Sequence, residues 1–272
     1  MLMKPSWTAT SAVTCAVVLS LEAIAITGWF RVRPVPPTQP TPVVQVPAAA
    51  VAPVAVLPAA APVAAAPVRH EDGYYAQLRT KIRWVETRIG DDKLMTPDAS
   101  SRVLLAKSAA ERAGLHEVGL SFKDVYGIIS AETSWIPRMG ASKDGTPNLG
   151  LAQFEPATAR ALGLRNPNDP VEAIHVAALH MKEAAEWSAK RLSGLKLNAG
   201  ERAQKLREGV SIFYNLSSKG RSRWNGNNTA KLPIETRLHI RNARTGAQMA
   251  GELAERLETS RQVSTGFVLT GG

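Results

Sequence analysis

The feature that most constrains this chain is a crowding of proline. Ten of its 18 prolines fall between Pro34 and Pro67, among Ala and Val with a few Thr and Gln. Each proline fixes φ and removes a backbone donor, so neither a helix nor a central strand is stable there. Residues 33–69 are therefore read as a Pro/Ala-rich linker. In a polyproline-like, semi-rigid state, at ~3.1 Å per residue, it reaches on the order of 100 Å. It serves either as a spacer of defined reach or as a tether of no particular length. Anything compact must lie to one side of it.

On the N-terminal side, residues 7–30 are apolar with Glu22 as the single charge. At about 1.5 Å rise per residue that length spans a bilayer. Trp7, Trp29 and Phe30 bracket it as interfacial anchors. Residues 1–32 thus read as a membrane anchor, whose orientation charge does not settle, since Lys4 with the amino terminus roughly balances Arg31 and Arg33. The alternative is a cleaved secretory signal, with Lys4 at its start, an apolar stretch over 12–21 and Ala23-Ile24-Ala25 as a small-x-small site, which releases the domain into the periplasm. The one cysteine, Cys15, lies in this segment, so the folded part has neither an internal disulfide nor a Cys metal site. Formal net charge is +10, most of it after the linker. That charge fits a polyanionic partner such as nucleic acid, anionic lipid or cell-wall polymer, or simply a basic soluble surface. Few aromatics interleave the basic stretches and no binding motif appears, so nucleic acid is not expected.

After the linker the pattern is helical. Tyr75, Leu78, Ile82, Val85 and Ile89 recur at helical spacing and predict one helix, ended by Gly90-Asp91. Thr96-Pro97-Asp98 predicts the next, with Thr96 as N-cap and Gly114 as terminator. Together they form an expected helical extension over 70–118. Ser121 with Asp124 has the form of a capping box, and Val125, Ile128, Ile129 and Glu132 share a face of the helix it opens. That places Glu132 at the edge of the core, partly desolvated, the setting that general-acid glutamates occupy. Taken alone, such a residue reads more readily as a surface or salt-bridged glutamate near a helix end. A loop with Gly140, Ser142, Gly145, Pro147 and Asn148 follows, then Gly150-Leu151-Ala152-Gln153, then a short helix from Pro156 closed by Leu162-Gly163. Residues 191–207 read as a charged connection between helices. A last helix begins after Pro233 and ends near Leu257, before a loose tail at 261–272.

The stretch from Glu132 resembles the soluble lytic transglycosylase family. That family has a catalytic Glu followed by Ser, a Ser-bearing loop, Gly-Leu-Met-Gln, and Pro-x-Thr-Ala. Here Glu132, Ser142, Gly150-Leu151-x-Gln153 and Pro156-x-Thr158-Ala159 stand in that order. Phe213-Tyr214-Asn215 is similar to its Ala-Tyr-Asn-Ala-Gly, and Pro233-x-Glu235-Thr236 to its Pro-x-Glu-Thr. The capped helix start Asp169-Pro170-x-Glu172 lies between them. The resemblance covers residues 121–244. It implies an all-α fold with a lysozyme-like transglycosylase domain over 119–260, preceded by the helical extension, the linker and the membrane segment.

The implied activity is lytic cleavage of the MurNAc–GlcNAc β-1,4 bond of peptidoglycan glycan strands, leaving 1,6-anhydroMurNAc ends. Glu132 is implied as the catalytic acid and then base. Thr133, Ser142, Gly150, Gln153, Tyr214 and Asn215 are implied as substrate-binding residues. No metal and no cofactor is implied. A tethered single-domain form suits local opening of the wall for a secretion or conjugation apparatus. A hydrolytic muramidase on the same fold and a noncatalytic wall-binding scaffold stand as alternatives. The departures from the family are Thr133 for Ser, Ala152 for Met (read as opening space against the sugar), a longer loop before Gly150, Leu216-Ser217 for Ala-Gly, and His239 where Tyr is common. His116, His175, His180 and His239 lack paired ligand spacing and are assigned to packing or surface. Asp144 and Asp169 are set aside as second acids. The basic loop 218–223 reads as a solvated turn or as a contact for anionic wall polymer.

Overall fold

A computed structural model describes residues 72–142 and 145–269. The membrane segment, the linker and Asp144 lie outside these residues. Among the described residues no helix is long and apolar enough to cross a membrane. The architecture is all-α with two small hairpins. The helices are α1 (Asp72–Thr80), α2 (Ala99–Arg112), α3 (Phe122–Thr133), α4 (Pro156–Ala161), α5 (Pro170–Leu192), α6 (Ala199–Asn215), α7 (Ser218–Arg221) and α8 (Ile234–Leu269). The strands are β1 (Trp84–Ile89) with β2 (Asp92–Pro97), and β3 (Gly140–Ala141) with β4 (Pro147–Asn148), each pair antiparallel.

Caps written in the sequence set the helix starts. Ser121 and Asp124 close a reciprocal capping box on α3, and Asn198 and Glu201 do the same on α6. Asp169 accepts from the Val171 amide, with Pro170 in the first turn of α5. The apolar faces of α2, α3 and α5 then meet in one core through Leu105, Ala109, Val125, Ile129, Val171, Ile174, Ala177 and Met181. Tyr75 and Leu78 of α1 belong to the same core, so residues 72–118 are part of the domain body. A second apolar cluster of Leu192, Ile212, Trp224, Leu232 and Ile240 holds the connection from α6 to α8.

Helices α3 and α8 approach most closely at Gly127. A Cβ there would sit 2.3 Å from the carbonyl oxygen of Ala243, so only glycine lets the two backbones come together. This approach brings the last turn of α3 alongside the second turn of α8.

Four sequence expectations are corrected. The first helix stops at Thr80, and residues 84–89 form a strand. Its β-branched Val85, Thr87 and Ile89 favour the pleated state, and Gly90, at φ 59°, gives the two-residue turn that pairs Ile89 with Asp92. The 3-and-4 spacing of its apolar residues is coincidental, since Val85 and Ile89 are exposed. Thr96 is not a cap but the buried end of β2, and Asp98 caps α2 by accepting from the Ser101 amide. The connection read over 191–207 is helical from Ala199, because the Asn198–Glu201 box starts α6 there. Helix α8 runs on to Leu269 rather than ending near Leu257; Ser and Thr are only mildly unfavourable in a helix, and the run after Leu257 has no proline to stop it.

Between α1, α2 and α5 lies a buried polar chain. The His175 Nδ1 is 2.7 Å from the Val171 carbonyl, which can only accept, so Nδ1 carries the proton. Nε2 therefore accepts from Ser108 Oγ at 2.9 Å, and Ser108 accepts in turn from the Tyr74 hydroxyl at 2.5 Å. Burial, assisted by the nearby Arg112 guanidinium, pushes His175 down to about 4.

Two tests follow from these contacts. Gly127→Ala raises stability by about 1 kcal/mol at an exposed helical site, but here overpacking against Ala243 dominates, and chemical denaturation is expected to show a loss of about 1–3 kcal/mol. The His175 term depends on pH with a definite sign. The folded state binds this proton less readily than the unfolded chain. Its contribution is therefore intact above the ordinary imidazole value of about 6.5 and is lost as pH falls toward about 4, by roughly 3 kcal/mol. His175→Asn keeps a donor for the Val171 carbonyl without a titrating ring, and denaturation midpoints measured across that range should flatten.

Candidate functional site

Glu132 stands on the last turn of α3, with its side chain 16% exposed. The helix ends just beyond it in an unusual way. Ser134 and Trp135 take φ of 54° and 66° in succession, a left-handed pair that non-glycine residues adopt only when their surroundings compel it. The surroundings do so here. The Trp135 ring is buried against Tyr126 at 4.8 Å, and its indole N–H donates to Ser130 Oγ at 3.2 Å. Its carbonyl accepts from Thr96 Oγ1 at 2.5 Å, so the base of the first hairpin pins the turn. Arg138 donates to the Glu132 carbonyl at 3.2 Å.

The 150–153 turn packs beside this helix end. Gly150 sits at φ 70°, and a Cβ there would meet the Pro167 carbonyl oxygen at 1.9 Å, so no other residue fits. The Thr133 hydroxyl, fully buried, donates to the Leu151 carbonyl at 2.9 Å. Gln153, at φ 50°, donates its side-chain amide to the carbonyls of Arg138 at 2.9 Å and Gly150 at 2.8 Å. Thr133 and Gln153 thus tie the turn to the segment after Glu132. Ser142 lies on the second hairpin, where it donates to Glu155 Oε1 at 2.5 Å and lies 3.3 Å from the Asn148 amide nitrogen. Ala152 is buried in the core, so its small side chain opens no space at the surface.

The segments at 213–215 and 233–239 close the other side. Asn215, at the end of α6, accepts from the Thr236 hydroxyl at 2.7 Å. This contact joins two motifs that the sequence shows only separately. One turn further along α8, His239 turns inward, and its Nε2 lies 2.8 Å from Glu132 Oε1. His239 is buried, and its Nδ1 has no hydrogen-bond partner among the described residues. The Tyr214 hydroxyl is likewise buried and unpartnered. Burial and the adjacent Glu132 carboxylate push this phenol well above its ordinary value of 10.0. The Tyr214 ring packs 6.1 Å from Phe154 and 5.2 Å from His180.

The structure therefore brings Glu132, Tyr214 and His239 together, and sets Thr133, Gly150 and Gln153 as the scaffold next to them. Ser142 and Asn215 bond to Glu155 and Thr236 rather than to Glu132. The assignment of His239 to packing or surface is corrected, since it is the direct partner of Glu132. Sequence reasoning missed it because the two residues lie 107 positions apart; the only signal was a titratable ring in a position three residues past Thr236. Two carboxylates of the loops that follow have other partners. Glu155 accepts from Ser142, and Asp169 pairs with Arg79 and caps α5. A cavity of about 540 Å³ lies elsewhere, between α3, α6 and α8, lined by Ile128, Val210 and Ile240 among others and not by Glu132. Among the described residues no group of three His, Cys, Asp or Glu is arranged to hold a metal ion.

No family model matches the chain, and neither a curated protein nor a solved structure does.

The Thr133–Leu151 bond gives a direct test of the scaffold. Thr133→Val keeps the shape but leaves the buried Leu151 carbonyl unpaired, with an expected loss of about 1–3 kcal/mol. Thr133→Ser keeps the hydroxyl and should lose clearly less. Urea denaturation of the three proteins checks the order.

Proposed function

We propose that the chain is a lytic transglycosylase of peptidoglycan, with a lysozyme-like catalytic domain and Glu132 as its single acid–base residue. The observation that carries the reading is the Glu132 carboxyl itself. It is partly buried at a rigidly held helix end, reaches solvent, and has one oxygen taken by His239. Among the described residues, Glu155 is bonded to Ser142 and Asp169 is paired with Arg79, so neither is offered as a second acid, and the reading is chemistry that needs one carboxyl rather than the two-carboxylate schemes of most glycosidases.

In this reading, protonated Glu132 donates to the oxygen that links MurNAc C1 to GlcNAc, and the C1–O bond breaks with the N-acetyl carbonyl oxygen supporting C1. The Glu132 carboxylate then takes the proton of the MurNAc C6 hydroxyl, whose oxygen bonds to C1 and closes the 1,6-anhydro ring. Protons balance, no water is consumed, and no metal or cofactor enters. The same residue serves as acid and then base. The Tyr214 hydroxyl, buried beside Glu132 and held in its protonated form, would orient Glu132 or, if the site opens to it, the N-acetyl group. The net charge of +10 favours residence on an anionic wall. Residues 1–32 would hold the enzyme at the inner membrane and the linker would let it reach the wall, an arrangement suited to local opening for a secretion or conjugation apparatus.

Digestion of purified sacculi by the full-length chain, read by mass spectrometry, tests the proposal. Anhydro-ended fragments are expected, each one water lighter than the product of hydrolysis, and Glu132→Gln should reduce their release by at least ~10²-fold. Reducing MurNAc ends would assign a hydrolytic muramidase instead. Release undiminished in Glu132→Gln would remove Glu132 from the chemistry.

A further inference from the structure

The Glu132–His239 contact carries more information than a distance, because the far side of the imidazole is also defined. His239 is 6% exposed, and its Nδ1 is buried with no partner among the described residues. A proton on that nitrogen finds no acceptor among the described residues. We propose that His239 is a positioning residue: a neutral imidazole whose Nε2–H holds Oε1 of Glu132, so that Oε2 alone carries and exchanges the catalytic proton. The inference rests on the transglycosylase reading and assigns the geometry by which its acid is aimed.

Three arrangements of protons fit a 2.8 Å contact between Nε2 and Oε1. In the first, imidazolium faces carboxylate. That requires an N–H at Nδ1, buried and without an acceptor, and a full charge out of water; both are unfavourable. In the second, Glu132 is protonated on Oε1 and donates to a bare Nε2. The imidazole proton then sits on Nδ1, again without an acceptor, and the acid proton points at His239 instead of at substrate. In the third, Nε2–H donates to Oε1 and Nδ1 is a bare lone pair. Buried N–H groups without partners are rarer than under-satisfied acceptors, so the third is preferred. It also serves both halves of the reaction unchanged. Nε2–H can donate to Oε1 whether Oε2 carries its proton or has given it up, so the imidazole need not rotate, exchange tautomer or take a charge during turnover.

The other groups around the carboxyl do not perform this task. Tyr214 faces Glu132 but its hydroxyl forms no hydrogen bond to it among the described residues. Arg138 bonds the Glu132 backbone carbonyl and not the side chain. Without His239 the carboxyl is free to turn about its terminal bond, and the direction of proton donation is no longer fixed. Misplacement on the scale of 1 Å costs about 10²-fold in rate.

The test compares conservative replacements in the full-length chain. The side-chain amide nitrogen of Gln occupies the position of Nε2, whereas that of Asn occupies the position of Nδ1. Initial rates of anhydro-fragment release are measured over a range of sacculus concentrations for wild type, Glu132→Gln, and His239→Gln, →Asn and →Leu, with helical circular dichroism confirming that each is folded. His239→Leu and His239→Asn are expected to lose ~10²-fold in maximal rate, with half-saturation within about twofold of wild type, while His239→Gln retains the rate to within about tenfold. Nitrogen-15 NMR of the histidine-labelled protein at neutral pH should find His239 protonated on Nε2 and bare at Nδ1, a readout that does not depend on turnover. A His239→Leu chain that stays active while Glu132→Gln is dead overturns the inference alone. So does a Gln variant no better than Leu, or a His239 ring protonated on Nδ1. Wild-type rates in Glu132→Gln would remove Glu132 from the chemistry, and the positioning role with it, whereas reducing ends in place of anhydro ends would overturn the transglycosylase reading itself.

Discussion

The site depends on the close approach of α3 and α8. Gly127 allows the α3 backbone to come within contact of the Ala243 carbonyl, and no side chain fits between them. That approach fixes how far His239, one turn before Ala243, stands from Glu132, one turn beyond Ile128. A hydrogen bond tolerates a few tenths of an ångström, so the geometry of the carboxyl is set by backbone packing a turn away rather than by the two side chains alone. The Asn215–Thr236 bond acts in the same direction, since it locks the start of α8 to the end of α6 and prevents α8 from sliding along its axis.

Around this seam the chain accepts local strain. Ser134, Trp135 and Gln153 all hold positive φ, and each has its own anchor: the helix end, the buried indole with the Thr96 bond, and the bifurcated amide of Gln153. Sparsely populated backbone states persist only when over-determined. Here the over-determination comes from three separate elements, the first hairpin, α3 and the 150–153 turn. Rigidity at Glu132 is thus a property of several weak ties acting on one short segment, which is why Thr133 and Gln153 matter even though their polar groups face inward.

Much of this was legible in the chain. Capping chemistry is local, so the starts of α3 and α5 could be read from Ser121–Asp124 and Asp169-Pro170. The apolar faces of α3 and α5 follow helical periodicity and were equally readable. The first hairpin was not, because Val85 and Ile89 happen to fall on the 3-and-4 spacing begun by Tyr75 and Leu78, and periodicity alone cannot separate that from a helix. Gly90, which can end a helix, serves equally as the turn of a hairpin. The family resemblance, rather than residue type, singles out Glu132, Tyr214 and Gln153, and it implies a substrate-binding task for Gln153, whose amide instead bonds the Arg138 and Gly150 carbonyls. Whether the Gln153 amide faces a ligand or its own loop depends on where Arg138 returns, and the partnership of Glu132 with His239 depends on how α8 crosses α3. Neither is a local property.

The 107-residue separation of Glu132 and His239 also orders events in time. A chain that emerges from its N-terminus presents the acid long before the ring that aims it, and contacts so distant in sequence are made late in folding. The scaffold ties at Thr133 and Gln153 involve partners within 18 and 15 positions and can form early. Until α8 docks, the glutamate is held at its helix end without its imidazole partner. Docking of α8 and formation of the Glu132–His239 pair are the same event.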